Sequence, residues 1–352
     1  RISMECVQIH NYVIGSGHST FIIAEAGVNH NGRVDLAIQL IQAAARVGAN
    51  AVKFQTFKAD KLTSTEAPKA LYQKETTPDS DSQREMLRKL ELPWDAYPEL
   101  VAECSRKNIL FMSTPFDDES ADFLDTLGLS VFKISSGEIT NLPFLVRIAR
   151  KGKPIILSTG MSYLNEIDCA VRSIINEGNE QLALLHCTSA YPANPSDINL
   201  KAIDMLSHAF QVPVGLSDHS EGIVIPLAAV ALGASIIEKH FTIDRSLPGP
   251  DQRASLEPME LNEMILGIRK IESALGTGRK IPVEAESDTA RVARKSLAAR
   301  RAIPKGVVLS EDDLTMMRPG TGLPPAALEY VVGRTTKVDI PAESLISLEM
   351  LV

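Results

Sequence analysis

Short, unbroken apolar runs recur through most of the chain, each followed by polar residues and then by a helical pattern. They are Phe21–Glu25, Ala51–Gln55, Ile109–Ser113, Val131–Ile134, Pro154–Ser158, Leu182–His186, Pro213–Ser217 and Ser235–His240. Runs of this kind read as strands buried on both faces of a parallel sheet. Between the first two, Leu36, Leu40, Ile41, Ala44 and Ala45 form an apolar stripe at helical spacing, and Gly48 stands where that helix stops. After the last run, Pro258 opens a helix with Leu261, Met264, Ile265 and Ile268 on one face, and Gly276 ends it. Eight β-then-α units predict an α/β fold, a (β/α)8 TIM barrel. The rival, a doubly wound open sheet, usually has fewer strands, and no G-x-G-x-x-G follows the first run here.

The texture changes past the barrel. Gly, Pro and charged residues break the pattern, so residues 276–290 read as a linker between a barrel domain over 1–275 and a compact domain over 291–352. The latter carries short mixed segments such as Ser296–Ala299, Ile303–Gly306 and Val338–Pro341. No internal repeat or low-complexity tract interrupts either part.

Composition narrows the functional classes. A net charge of −8 makes nucleic acid an improbable partner, because phosphate backbones require clustered Lys and Arg. An anionic small substrate would need a local basic pocket. No apolar run approaches the roughly 20 residues that span a bilayer. The start shows no signal-peptide pattern, and Arg1–Ser3 are expected to be foreign to the protein. Cys6, Cys104, Cys169 and Cys187 form no CxxC pair, which fits a reducing cytoplasm and argues against a disulfide scaffold or zinc finger.

The chemistry is expected where the runs end, since barrel enzymes work at the C-terminal ends of their strands. In chain order those ends offer Glu25; Lys53 and Gln55; Ser113 and Thr114; Lys133, Ser136 and Glu138; Ser158 and Thr159; His186, Ser189 and Tyr191; Ser217, Asp218 and His219; Glu238 and His240. A single Ser or Thr there is commonly a helix cap and a single Lys can snorkel. Eight coincidences ask for more. Burying Lys53 and Lys133 without partners costs several kcal/mol, so both expect an anion. Two ammonium groups among hydroxyls suit a phosphate plus a carboxylate. His219 and His240 end adjacent strands about 4.8 Å apart, within reach of one cation, with Asp218 and Glu238 near enough to be ligands or their supports. Tyr72 and Gln73, in the long segment 60–83, are candidates for a flap over the strand ends.

The same strand ends resemble the signatures of the N-acetylneuraminate (sialic acid) synthase family, which includes legionaminate synthases. The resemblance is carried by Phe21–Gly32, Lys53–Lys58, Ser113–Phe116, Lys133–Glu138, Leu157–Met161, His186–Pro192, Gly215–His219, Glu238–Phe241, Gly249–Asp251 and Ala254–Pro258. Residues around Ile303–Gly306 and Arg318–Gly320 are similar to the antifreeze-like (SAF) domain that follows the barrel in that family. The resemblance implies a synthase that joins phosphoenolpyruvate to an N-acetylated hexose with C–O cleavage and release of phosphate. It implies phosphoenolpyruvate on Lys53, Thr114, Lys133, Ser136, Ser158, Ser189 and Ser217, and Mn2+ or Mg2+ on His219 and His240. Several members carry Asn where Ser189 stands. The sugar is expected at Glu25, Gln55, Tyr191 and Asp251, with Arg318 arriving from the partner of a domain-swapped homodimer. Glu138 is the expected handler of the water proton, while Glu25 orients the sugar.

The first expected acceptor is N-acetylmannosamine, giving N-acetylneuraminate. The second is 2,4-diacetamido-2,4,6-trideoxymannose, giving legionaminate, because Leu71–Lys74 and Ile139–Pro143 resemble stretches of legionaminate synthases. A Schiff-base aldolase using Lys133 or Lys53 is a different class, which borohydride trapping with pyruvate would reveal. A carbohydrate- or ice-binding module on a degenerate barrel is a third, and the intact Lys, His and Glu set argues against it.

Overall fold

The computed structural model describes residues 5–64, 66–70, 73, 74, 77 and 82–352. Tyr72, one of the two flap candidates, lies outside the described residues. The chain divides into two compact units, 1–276 and 277–352.

The first unit begins with an antiparallel hairpin, β1 (Cys6–Ile9) and β2 (Tyr12–Gly15), which the apolar runs did not announce. Eight parallel strands follow: β3 (Phe21–Gly27), β4 (Ala51–Thr56), β5 (Leu110–Pro115), β6 (Phe132–Ile134), β7 (Ile155–Ser158), β8 (Leu182–Cys187), β9 (Val214–Asp218) and β10 (Ile236–His240). They lie in the order β5-β4-β3-β10-β9-β8-β7-β6, and β5 packs beside β6 to complete a (β/α)8 barrel.

The apolar runs hide a period of two that the fold exposes. On β3, Ile22 and Ala24 face outward onto the helices, as do Val52 and Phe54 on β4 and Leu182 and Leu184 on β8. Their neighbours Phe21, Ile23, Ala51, Ile156, Ala183, Leu185 and Ile236 face inward and fill the lower barrel. Val7, Ile9 and Ile14 of the hairpin join that inner cluster and close the barrel's N-terminal end. The inward series then turns polar further along seven of the eight strands, at Glu25, Lys53, Thr114, Lys133, Ser158, Ser217, Glu238 and His240, and ends on β8 at Cys187. The strands therefore deliver polar groups only to the C-terminal mouth.

The helices obey the expected stripes. Val34–Arg46 buries Leu36, Leu40, Ile41 and Ala44. The chain then leaves through Gly48 at φ +86°, a left-handed position that favours glycine. Pro258–Leu275 buries Leu261, Met264, Ile265 and Ile268. Between β4 and β5 the helix Gln83–Leu90 is held by a capping box of Ser82 and Glu85, and its Met86 and Leu90 pack with Val28 and Phe57.

The second unit has its own core of Leu297, Ala299, Ile303, Leu309, Leu314, Val331, Ile340, Ile346 and Leu351 around the antiparallel pair β11 (Ser296–Ala299) and β12 (Leu314–Met317). Residues 277–290, read from sequence as linker, fall within this unit. No helix among the described residues is long and apolar enough to cross a membrane.

Candidate active site

At the barrel mouth lies a cavity of about 520 Å³, lined by the polar ends of the inward series. Register decides which groups meet. β3 sets Glu25 between Lys53 on β4 and His240 on β10, and β9 sets Ser217 beside Glu238 on β10.

Lys53 is the hub. Its Nζ lies 2.7 Å from Glu25 Oε2 and 3.6 Å from Glu238 Oε2, and it donates to Thr114 Oγ1 at 3.0 Å. Lys133 Nζ lies 3.4 Å from Glu238 Oε1 and donates to Ser158 Oγ at 2.8 Å. Ser217 Oγ donates to Glu238 Oε1 at 2.9 Å. All four charged side chains are almost fully buried.

Burial and charge then push these groups apart. Burial raises Glu25 to about 7, against Lys53, which lowers it, and with help from Glu238. Burial would raise Glu238 as well, yet Lys133, Lys53 and the Ser217 hydroxyl outweigh it and hold this carboxyl at about 2. Burial lowers the Lys133 ammonium more than Glu238 restores it, whereas the two carboxylates keep Lys53 raised. One carboxylate stays ionised and the other stands ready to exchange a proton near neutrality, an arrangement typical of acid–base sites.

The hydroxyls cluster beside the lysines. Ser136 Oγ accepts from the Gly160 amide at 2.9 Å. A Cβ on Gly160 would sit 2.4 Å from Ser189 Oγ and 2.9 Å from Ser136 Oγ, so only glycine lets this loop close on the two hydroxyls.

His219 and His240 face each other with ring centroids 5.5 Å apart, and the Tyr191 ring lies 4.2 Å from His219. His219 Nδ1 is 2.8 Å from the Thr188 carbonyl. A carbonyl only accepts, so Nδ1 carries a proton and donates it. Burial, His219 and Lys53 hold His240 neutral, well below the usual imidazole range, and its Nδ1 is buried without a partner. Asp251 lines the same cavity, raised by burial to about 6 although His219 opposes the shift. Gln55 donates to Glu25 Oε1 at 3.2 Å.

The structure thus brings Glu25, Lys53, Gln55, Thr114, Lys133, Ser136, Ser158, Ser189, Tyr191, Ser217, His219, His240 and Asp251 to one cavity. Gln73, the other flap candidate, also lines it. Glu138 does not join them. It ends the tight turn Ser136–Glu138, in which about three residues make a full circle, so Ser136 and Gly137 face the cavity while Glu138 accepts from Asn141 Nδ2 at 2.7 Å. Arg318 belongs to the second unit, exposed just beyond β12. Asp218 faces away from the cavity and pairs with Lys239.

His30 is buried beneath the site. Its Nδ1 accepts from the Gly32 amide, and burial lowers it to about 4. His186 donates from Nε2 to the Ile198 carbonyl. The sequence reading passed over Glu238 as a counterion for both lysines, and over Cys187 at the inward end of β8. Strand alternation carried both signals, because each sits two positions beyond an inward apolar residue.

The cavity has a second face. Val28, Phe57, Met86, Leu90 and Phe116 make an apolar wall of the cavity: Phe57, Met86 and Leu90 come from the β4–β5 connection, Phe116 follows β5 and Val28 follows β3.

The NeuB family matches residues 40–280, and the SAF domain matches residues 294–352. An N,N'-diacetyllegionaminic acid synthase of Campylobacter jejuni is 50% identical, covering 93% of this chain and 98% of its own length. One of Legionella pneumophila is 47% identical, covering 93% of each chain. Among solved structures, an N-acetylneuraminic acid synthetase of Leptospira borgpetersenii in complex with citrate is 37% identical with a TM-score of 0.73, covering 81% of this chain and 95% of that one.

Proposed function

The chain belongs to the NeuB family with a SAF domain after the barrel, and from this premise we propose that it condenses phosphoenolpyruvate with an N-acetylated hexose by forming a C–C bond. The observation that carries the reading is the convergence of Lys53, Lys133, Thr114 and Ser158 around Glu238 at the barrel mouth. A doubly anionic donor entering here finds two ammonium groups, while the hydroxyls of Ser136, Ser189 and Ser217 add donors without charge. A cavity of about 520 Å³ falls in the range that holds substrates of this size.

His219 and His240 suit a divalent cation. The Thr188 carbonyl orients one ring, while burial, His219 and Lys53 hold the other neutral with its Nδ1 lacking a hydrogen-bond partner. When bound there, Mn2+ or Mg2+ supplies Lewis-acid polarisation of the open-chain aldehyde. Tyr191, Gln55 and Asp251 position the sugar beside it. C3 of the enol ester attacks the aldehyde carbon, water adds at C2, and phosphate departs by C–O cleavage. Glu25, at about 7, is better placed than Glu138 to hold or release a proton, through Oε1 or Oε2. Lys53 and Lys133 neutralise the departing phosphate.

For the acceptor, two observations favour the diacetamido-trideoxy hexose over N-acetylmannosamine. The relatives at 50% and 47% identity are diacetyllegionaminic acid synthases. The apolar wall of Val28, Phe57, Met86, Leu90 and Phe116 suits a C6 methyl. The test is phosphate release from phosphoenolpyruvate with Mn2+ and a panel of N-acetylated hexoses. The 2,4-diacetamido-2,4,6-trideoxy sugar should give the highest kcat/KM. Release with none of the panel would end the synthase reading, and borohydride trapping of pyruvate on Lys53 or Lys133 would replace it with aldolase chemistry.

The working unit we propose is a cytoplasmic homodimer in which the SAF domain of one chain covers the barrel mouth of its partner. Exposed Met161, apolar and on the cavity lining, supports such a cover, and the four cysteines form no disulfide. Arg318 would then reach the acceptor's N-acetyl group. Arg318→Ala should raise the sugar KM about tenfold or more, as expected for one charged hydrogen bond, with little change in that for phosphoenolpyruvate. Equal effects on both KM values would count against this role.

A further inference from the structure

Outside the cavity, a second buried charge pair sits directly behind the two histidines. Asp218 ends β9, Lys239 is the penultimate residue of β10, and the register sets them opposite each other. Lys239 Nζ lies 2.5 Å from Asp218 Oδ2, and the two side chains are 1% and 0% exposed. Asp218 Oδ1 also accepts from the Ser220 amide at 3.0 Å and from its hydroxyl at 2.8 Å. Lys239 donates in turn to the Ser220 carbonyl.

The positions matter more than the contacts. Asp218 precedes His219 and Ser220 follows it, so both flanks of one imidazole are tied to the ammonium of Lys239. Lys239 immediately precedes the other imidazole, His240. Strand alternation turns Ser217, His219, Glu238 and His240 toward the cavity, while Asp218 and Lys239 face the other way. A fully buried ion pair adds little net stability compared with apolar side chains of similar size, so stability alone does not account for its presence.

We propose that the buried Asp218–Lys239 pair, with Ser220, is a positioning clamp that fixes the separation and aim of the His219 and His240 rings and thereby sets the affinity of the mouth for a divalent cation. This rests on the reading of those two histidines as the cation's ligands. The clamp touches no substrate. It acts through the main chain on either side of each ring, as supports behind metal-binding imidazoles do.

The test is the double variant Asp218→Asn/Lys239→Met, which removes both charges and leaves no buried ion unpaired. Mn2+ is titrated into the metal-free full-length protein without substrates, and free Mn2+ is read by its paramagnetic resonance signal. The Kd for Mn2+ should rise about 10–100-fold, with cooperative thermal unfolding retained and phosphoenolpyruvate binding in metal-free buffer within about twofold of the parent. A folded double variant whose Kd stays within about threefold of the parent overturns the clamp. If the double variant does not fold, Ser220→Ala decides, since it deletes only the hydroxyl bonded to Asp218. A rise of about threefold or more supports the clamp, and an unchanged Kd overturns it. His240→Ala separates the two levels of inference. If it binds Mn2+ as tightly as the parent, the histidine reading and the clamp fall together; if it loses Mn2+ while the double variant does not, only the clamp falls.

Discussion

Lys53→Met is expected to reduce kcat/KM by about 10³-fold or more and to destabilise the barrel by about 3–5 kcal/mol. Lys53 is the counterion between Glu25 at 2.7 Å and Glu238 at 3.6 Å, with its side chain only 4% exposed. Removing it strands a buried carboxyl, since Glu238 keeps Lys133 but Glu25 has no other ammonium within salt-bridge distance among the described residues. The deficit should depend on pH. In the native site Glu25 is raised from 4.5 to about 7, so its neutral form is favoured by folding; that contribution is fully present below the unfolded value and is lost as pH rises through the folded one. Without Lys53 the folded value rises further, so the penalty should be largest near pH 8 and shrink toward about pH 5. Adding Glu25→Gln to Lys53→Met should recover most of the stability and none of the turnover. Chemical denaturation at the two pH values and a phosphate-release assay read both effects. A Lys53→Met protein that is as stable as the parent at high pH, or that turns over normally, would remove Lys53 from the anion site.

His240→Ala is expected to abolish cation-dependent turnover, a loss of at least about 10²-fold, while unfolding stays cooperative. Among the described residues the ring is one of two imidazoles lining the cavity, and the other, His219, already commits Nδ1 to the Thr188 carbonyl. One remaining nitrogen is a weak hold on Mn2+ or Mg2+. The fold should tolerate the change because the ring lines a cavity and its Nδ1 has no hydrogen bond to lose. The comparison is phosphate release by both proteins after chelator treatment and after Mn2+ is restored. Normal turnover by the variant in metal-free buffer would sink the cation reading.

Much of this molecule was legible before any coordinate was known, and the reasons are local. A strand buried on both faces shows as an apolar run, and a helix shows as the stripe of Leu36, Leu40, Ile41 and Ala44 that the structure buries. The inward positions at the strand ends are polar because they face the mouth, so Lys53, Lys133, His219 and His240 could be singled out one strand at a time. What was not legible depends on turns and on neighbours far apart in the chain. Glu138 carried a plausible residue type, but the tight turn after β6 carries its carboxylate to Asn141. The apolar wall draws Val28 and Phe57 to Met86 and Leu90 of a helix far along the chain, a meeting that no single segment announces.

The sequence by itself determined the barrel and the inventory of groups at the mouth, because strand burial and side-chain type are properties of short stretches; the SAF domain was legible only through the resemblance of its motifs to that family. Only the tertiary structure decided that Glu238 stands between Lys53 and Lys133, that Glu25 remains protonatable beside an ionised partner, and that Asp218 and Lys239 lock together behind the histidines. Each of those outcomes is fixed by the stagger between strands in a closed sheet and by the exclusion of water from its interior, and neither quantity is written in any one segment of the chain.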